Sequence, residues 1–437
     1  MVDVGVEPYR EVTFDADGDI DVRQRERLAE LDVTDLVMFA HGWNNDRTTA
    51  NKLYDRFLGP FPGLVADEPG VRLGFAGIIW PSIRFADEPI PDFEPRGATS
   101  DRVFPGLDDA TKQALVQAFP DREQLVERLA GLLDECPEER TAFDEFGMLI
   151  RQLVDEPPGS LGVLFGSDME SEDLPQSDPM MLYEDTLAVC VGFTEALEEA
   201  GAEMDEGSAR DIAFGGGLKK IWNGAKELLR QATYYAMKRR AGTVGRLGLG
   251  PLLGQLAEAS PSMRVHLVGH SQGARLVSFA LRGLPEGVRN VKSVTLLQGA
   301  FSHYAFAGHL PHSMRSGGAL RDAQLRIDGP LVACYSHHDT ALRVIYPLAS
   351  RLAGDSAGLV ALTNQWGAIG YDGVQAVVDT PTLTVAQALR DGLPDQGCVN
   401  VDASALVRRG GPPAGAHSDV CHTDLARVVL AAGRVGR

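Results

Sequence analysis

Cysteine is scarce: five thiols are scattered over 437 residues, at Cys136, Cys190, Cys334, Cys398 and Cys421. The number is odd and no C-x-x-C pair occurs, so reduced thiols in a cytoplasmic protein are expected rather than a disulfide framework. Positive charge is scarce too. Lys and Arg number 41 against 61 Asp and Glu, a net charge of -20. Phosphate contacts need a basic face, so nucleic acid is not an expected partner, and an anionic membrane surface is disfavoured for the same reason. No apolar run approaches the ~20 residues of a membrane helix. The opening residues carry neither the basic nor the apolar part of a signal peptide.

What remains is ordinary soluble composition, 44% hydrophobic and 23% charged, in a chain long enough for one large α/β domain with insertions or for two domains. Short apolar, β-branched runs recur at 35–40, 74–80, 265–268, 291–297, 331–335 and 399–406, each ending in a polar or glycine-rich turn. Residues 11–15 offer a further edge strand. Runs apolar on both faces fit strands of a mostly parallel sheet covered on both sides, and helical stretches between them make the expected class α/β.

From 86 to 215 the chain is acidic and no strong strand is evident. Residues 108–119, 121–133 and 138–154 read as amphipathic helices, and 157–179 as a loop rich in Pro, Gly, Ser and acids. This stretch is expected to be a helical insertion capping a core made of 1–85 and 216–437. A long helix follows over 218–240, with Trp222, Leu229, Tyr234 and Met237 expected in the core. Its closing Lys238-Arg239-Arg240 suits a helix C-terminus.

The pentapeptide Gly269-His270-Ser271-Gln272-Gly273 stands between an apolar strand and a helix. G-x-S-x-G in that setting is a nucleophile elbow, a tight turn that lifts a serine hydroxyl out of a sheet. Gly354-Asp355-Ser356-Ala357-Gly358 also fits the pattern, but a helix-like stretch precedes it, so Ser356 is read as a loop residue. A serine near neutral pH needs a base, which a histidine supplies best, and a carboxylate to orient that base. Asp339, just past the strand 331–335, is the expected acid, with N-capping of the next helix as its plain structural alternative. His417 and His422 both lie between the last strand and a closing helix. His417, in the loop proper, is the preferred base. The oxyanion would take backbone N–H groups from Gln272 and from Trp43 in the turn His41-Gly42-Trp43. His41 itself is read as structural.

With these parts in the order Ser…Asp…His, the chain resembles the α/β-hydrolase superfamily of the serine esterase and lipase type. The likeness covers about 32–80 and 264 to the C-terminus. It implies Ser271 as nucleophile, His417 as base, Asp339 as orienting acid, and Trp43 and Gln272 as oxyanion donors. The expected activity is hydrolysis of a small-molecule acyl substrate, a carboxylic ester by default, with no cofactor. Thioester or amide cleavage on the same triad, and an inactive binding or scaffold protein, are the alternatives. The clusters His337-His338-Asp339 and His309/His312 lack a strong ligand pattern, so no metal is expected. Residues 86–215 and 301–320, including Phe301, Tyr304 and Phe306, would shape the pocket.

Overall fold

The computed structural model describes residues 4–85, 102–103, 105–156, 165–170, 180–204, 218–311, 313, 315–353 and 367–436. Ser356, His312 and most of 157–179 therefore lie outside the described residues. Eight strands form the central sheet: β1 (Tyr9–Thr13), β2 (Asp35–Ala40), β3 (Leu73–Ile79), β4 (Arg264–His270), β5 (Val291–Leu297), β6 (Pro330–Tyr335), β7 (Thr382–Thr384) and β8 (Gly397–Asp402). Their order is β1-β3-β2-β4-β5-β6-β8-β7, and each neighbouring pair is parallel.

Parallel neighbours need a crossover between them, so helices lie on both faces and the inner strands are buried on both sides. Side chains alternate along each strand. In β2, Leu36, Met38 and Ala40 join one apolar cluster while Val37 and Phe39 join the other. The first cluster includes the long helix α1 (Leu218–Thr243) and α2 (Gln272–Gly283). The second includes α3 (Thr423–Gly433). An all-parallel sheet also places every strand C-terminus at one edge, where loops can converge on a ligand.

The expected α/β class and mostly parallel sheet match this architecture. β1 lies at 9–13, and β8 stops at Asp402, short of the expected 406, because the chain turns after Ala403, whose carbonyl accepts from the Leu406 N–H at 2.8 Å and the Val407 N–H at 2.9 Å. Helices stand at Asp109–Ala118, Glu123–Glu135 and Arg140–Val154, close to expectation. A further one at Thr186–Glu199 packs on α1. Leu129, Phe146 and Phe193 from this region share the same apolar cluster as the sheet.

The basic triplet differs from expectation. α1 does not end at Arg240 but runs to Thr243 and into a π-turn. Lys238 is fully buried against Asp168 at 2.9 Å, Arg239 faces Glu156, and Arg240 donates to the carbonyls of Pro81 and Ala118. Lys238 serves a buried partner, and the other two bridge to neighbouring segments rather than to a helix terminus in water.

Candidate active site

β4 delivers the chain into a sharp turn at Ser271, whose backbone sits at φ 55°, ψ -120° before α2 begins. A non-glycine residue there is strained, and such strain concentrates at functional turns. Surrounding bonds hold it: the Ser271 N–H donates to the Leu297 carbonyl at 3.0 Å, and its own carbonyl accepts from Ala300 at 3.2 Å. A Cβ on Gly273 would come within 2.1 Å of the Ala40 carbonyl oxygen, so only glycine lets α2 pack this close to β2.

Asp339 follows β6, and His417 lies in the loop between β8 and α3. Two loops meet to bring them together. The Ala341 N–H donates to Ala414 at 3.2 Å and the Ala416 N–H to His338 at 3.0 Å. His417 then bridges: Nε2 is 2.9 Å from Ser271 Oγ and Nδ1 is 2.7 Å from Asp339 Oδ2. With the proton on Nδ1 donated to the carboxylate, Nε2 accepts from the serine hydroxyl. Asp339 also meets its structural alternative, since Oδ1 accepts from the Leu342 N–H at 3.0 Å. One oxygen caps a helical turn and the other holds an imidazole.

His422 is not part of this constellation. Its Nε2 lies 3.2 Å from Asp419, and burial of that carboxylate is outweighed by His422 and Arg409, so its pKa is lowered. Comparison of the chain with protein-family models, with curated proteins and with solved structures returns no match. The site therefore stands on its own geometry.

Trp43 is buried at the end of β2, edge-on to Phe85 and Tyr234, and its carbonyl accepts from Ile83 at 3.1 Å. Gly42 lies against the serine: a Cβ there would stand 2.8 Å from Ser271 Cβ. Among the described residues, neither the Trp43 nor the Gln272 backbone N–H donates to a protein acceptor. His41 is a structural histidine, as expected. Its Nδ1 lies 2.8 Å from the Gly42 carbonyl, Trp80 stacks on its ring, and burial lowers its pKa to about 4.

Sequence reasoning missed His270, the residue before Ser271. Its Nε2–H donates to the His417 carbonyl at 2.9 Å, and burial, with His417 next to it, lowers its pKa to about 3. A neutral imidazole thus pins the backbone of the histidine that faces Ser271. The x of G-x-S-x-G carries no signal for such a contact. A cavity of about 70 Å³ accessible to water adjoins His417 and Trp43. Phe301 and Phe306 are buried against each other and hold their segment down. Among the described residues, no group of three or more His, Cys, Asp or Glu is arranged for a metal ion. Nor is any helix long and apolar enough to cross a membrane, and none of the five cysteines is in a disulfide.

Proposed function

We propose that the chain is a serine-dependent acyl hydrolase of the α/β-hydrolase type, acting on carboxylic esters of small molecules in the cytoplasm. The observation that carries this reading is the unbroken relay Ser271 Oγ–His417–Asp339, at 2.9 and 2.7 Å, on a strained strand-to-helix turn. The parallel sheet and the chain order Ser…Asp…His support the same assignment. On this reading 1–85 and 216–437 form the hydrolase core, and 86–215 is an insertion that caps it.

Ser271 attacks the acyl carbon while His417 Nε2 takes the hydroxyl proton. Asp339 keeps the Nδ1–H tautomer and stabilises the imidazolium that forms. The oxyanion of the tetrahedral intermediate accepts from the Trp43 and Gln272 N–H groups, worth about 3–4 kcal/mol for a single donor in comparable sites. His417 gives its proton to the leaving alcohol, and the acyl group remains on Ser271. Water then attacks the acyl-enzyme, His417 takes its proton, and the acid departs with Ser271 restored.

A fluorophosphonate probe tests the reading directly. One adduct should form on Ser271 of the intact chain and none in Ser271→Ala. Folded wild-type protein that takes no label would overturn the assignment.

A further inference from the structure

His417 is held at three points. Asp339 Oδ2 accepts from its Nδ1–H at 2.7 Å, and Ser271 Oγ donates to its Nε2 at 2.9 Å. The third point is the His417 carbonyl, which accepts from His270 Nε2–H at 2.9 Å. Two consecutive residues of the turn thus grip the imidazole and the backbone of one histidine. Through them the loop between β8 and α3 docks on the C-terminal end of β4.

His270 is a costly residue to place there. It is buried, and its Nδ1 has no hydrogen-bond partner among the described residues. A buried polar atom left unpaired costs about 1–3 kcal/mol. With the proton on Nε2, Nδ1 is the bare acceptor of a neutral ring. Burial keeps the ring neutral, its pKa lowered to about 3. Neutrality matters, because His417 must carry positive charge whenever it holds a second proton. The two rings stand 5.2 Å apart, centroid to centroid, so a charged His270 would oppose that step.

The three points do not all last through the reaction. Once Ser271 is acylated, Oγ is an ester oxygen with no proton to donate, and Nε2 of the neutral His417 is itself an acceptor. That contact is lost, leaving Asp339 on Nδ1 and His270 on the carbonyl. At this stage Nε2 must take a proton from water as the water oxygen bonds to the acyl carbon. The bond from that carbon to Oγ then breaks, and Nε2 returns the proton to Oγ. We infer that His270 is a positioning residue for deacylation, holding His417 in place while the acylated serine cannot. This rests on the acyl-hydrolase reading.

Hydrolysis of p-nitrophenyl acetate by the full-length protein, in stopped flow and at steady state, tests this. The good leaving group makes acylation fast and leaves kcat to report deacylation. In His270→Met, kcat should fall about ten- to a hundredfold. The ratio kcat/KM, which reports acylation, should stay within about threefold of wild type, so KM falls with kcat. A burst of about one p-nitrophenolate per protein should precede the slow phase. The lost hydrogen bond is offset by removal of the unpartnered Nδ1, so the variant should remain folded. His270→Gln, whose amide N–H can reach the same carbonyl, should restore kcat to within about threefold of wild type. Should His270→Met fold poorly, His270→Asn, with its amide one carbon too short, should show the same split. Three results overturn the inference: an unchanged kcat in the folded Met or Asn variant, an equal fall in kcat and kcat/KM, or a Gln variant as slow as Met. In each case fluorophosphonate labelling of wild-type Ser271 leaves the hydrolase reading standing. If Ser271 takes no label, both readings fall together.

Discussion

Two buried carboxylates, Asp168 and Asp339, lie near the Ser271 turn, and their partners differ in kind. Asp168 is gripped by fixed charges: Oδ1 by Arg275 Nε at 2.9 Å, and Oδ2 by Lys238 Nζ at 2.9 Å and the Ser302 N–H at 3.1 Å. Arg275 stands four residues after Ser271 on α2, and its NH2 group also reaches the carbonyls of Phe165, Gly166 and Ser167. Asp339 has one backbone N–H and one imidazole. Burial would raise the Asp168 pKa, but Lys238 and Arg275 outweigh it and the pKa is lowered. That cluster ties α1, α2 and residues 165–168 together. An imidazole can change charge near working pH. The partner, not the carboxylate, decides whether a buried acid is a clamp or part of a proton relay.

The contrast breaks first at Asp339. In Asp339→Asn the histidine should settle in the wrong tautomer, and ester turnover should fall about a thousandfold or more. The Leu342 N–H keeps an acceptor, so the free energy of unfolding should move by no more than about 1 kcal/mol. Steady-state rates and urea unfolding on the same preparation check both halves. A near wild-type rate would mean that another group orients the base.

Asp168→Asn should do the reverse. Two fully buried cations lose their counter-charge, at a cost of about 3–5 kcal/mol of stability. The protein that remains folded should still take the fluorophosphonate on Ser271. A urea midpoint shift equivalent to less than about 1 kcal/mol would show that the clamp holds little.

The same contrast explains what could be read from the sequence. The inner strands were legible because burial on both faces produces apolar runs. β7, three mostly exposed residues of Thr382-Leu383-Thr384, leaves no such trace. Ser271, Asp339 and His417 were legible because each stands where a strand feeds a turn or loop, and strand ends are where a parallel sheet meets ligands. Asp168 was not, because it sits in a stretch rich in Gly, Pro and acids that reads as solvated loop. Lys238 looked like a helix-terminal charge because its partner is 70 residues away in sequence. The stripe of Glu227, Arg230 and Gln231 was hidden for another reason. α1 is buried around its circumference, so no polar face stands out, and which stripe lines the cavity beside His417 depends on the fold.

The smallest expected effect concerns acid, and it separates histidines from clamp. His41 and His270 are held to pKa values of about 4 and about 3, mainly by burial, against about 6.5 in an unfolded chain. Below pH ~6.5 the unfolded chain therefore binds protons that the folded one refuses, so stability falls as pH falls. Between pH ~6.5 and 5 each imidazole should cost about 2 kcal/mol. The lowered pKa of Asp168 has a different window. Its contribution is present above the ordinary carboxylate pKa of about 4 and is lost only as pH drops below that. Destabilisation on mild acidification should thus begin at the histidines behind the nucleophile turn while the clamp is intact. Urea midpoints at pH 7 and pH 5 measure it, and His41→Gln should reduce the difference. Equal midpoints at the two pH values would mean that these imidazoles accept protons in the folded state, and that the turn behind Ser271 is wetter than its packing implies.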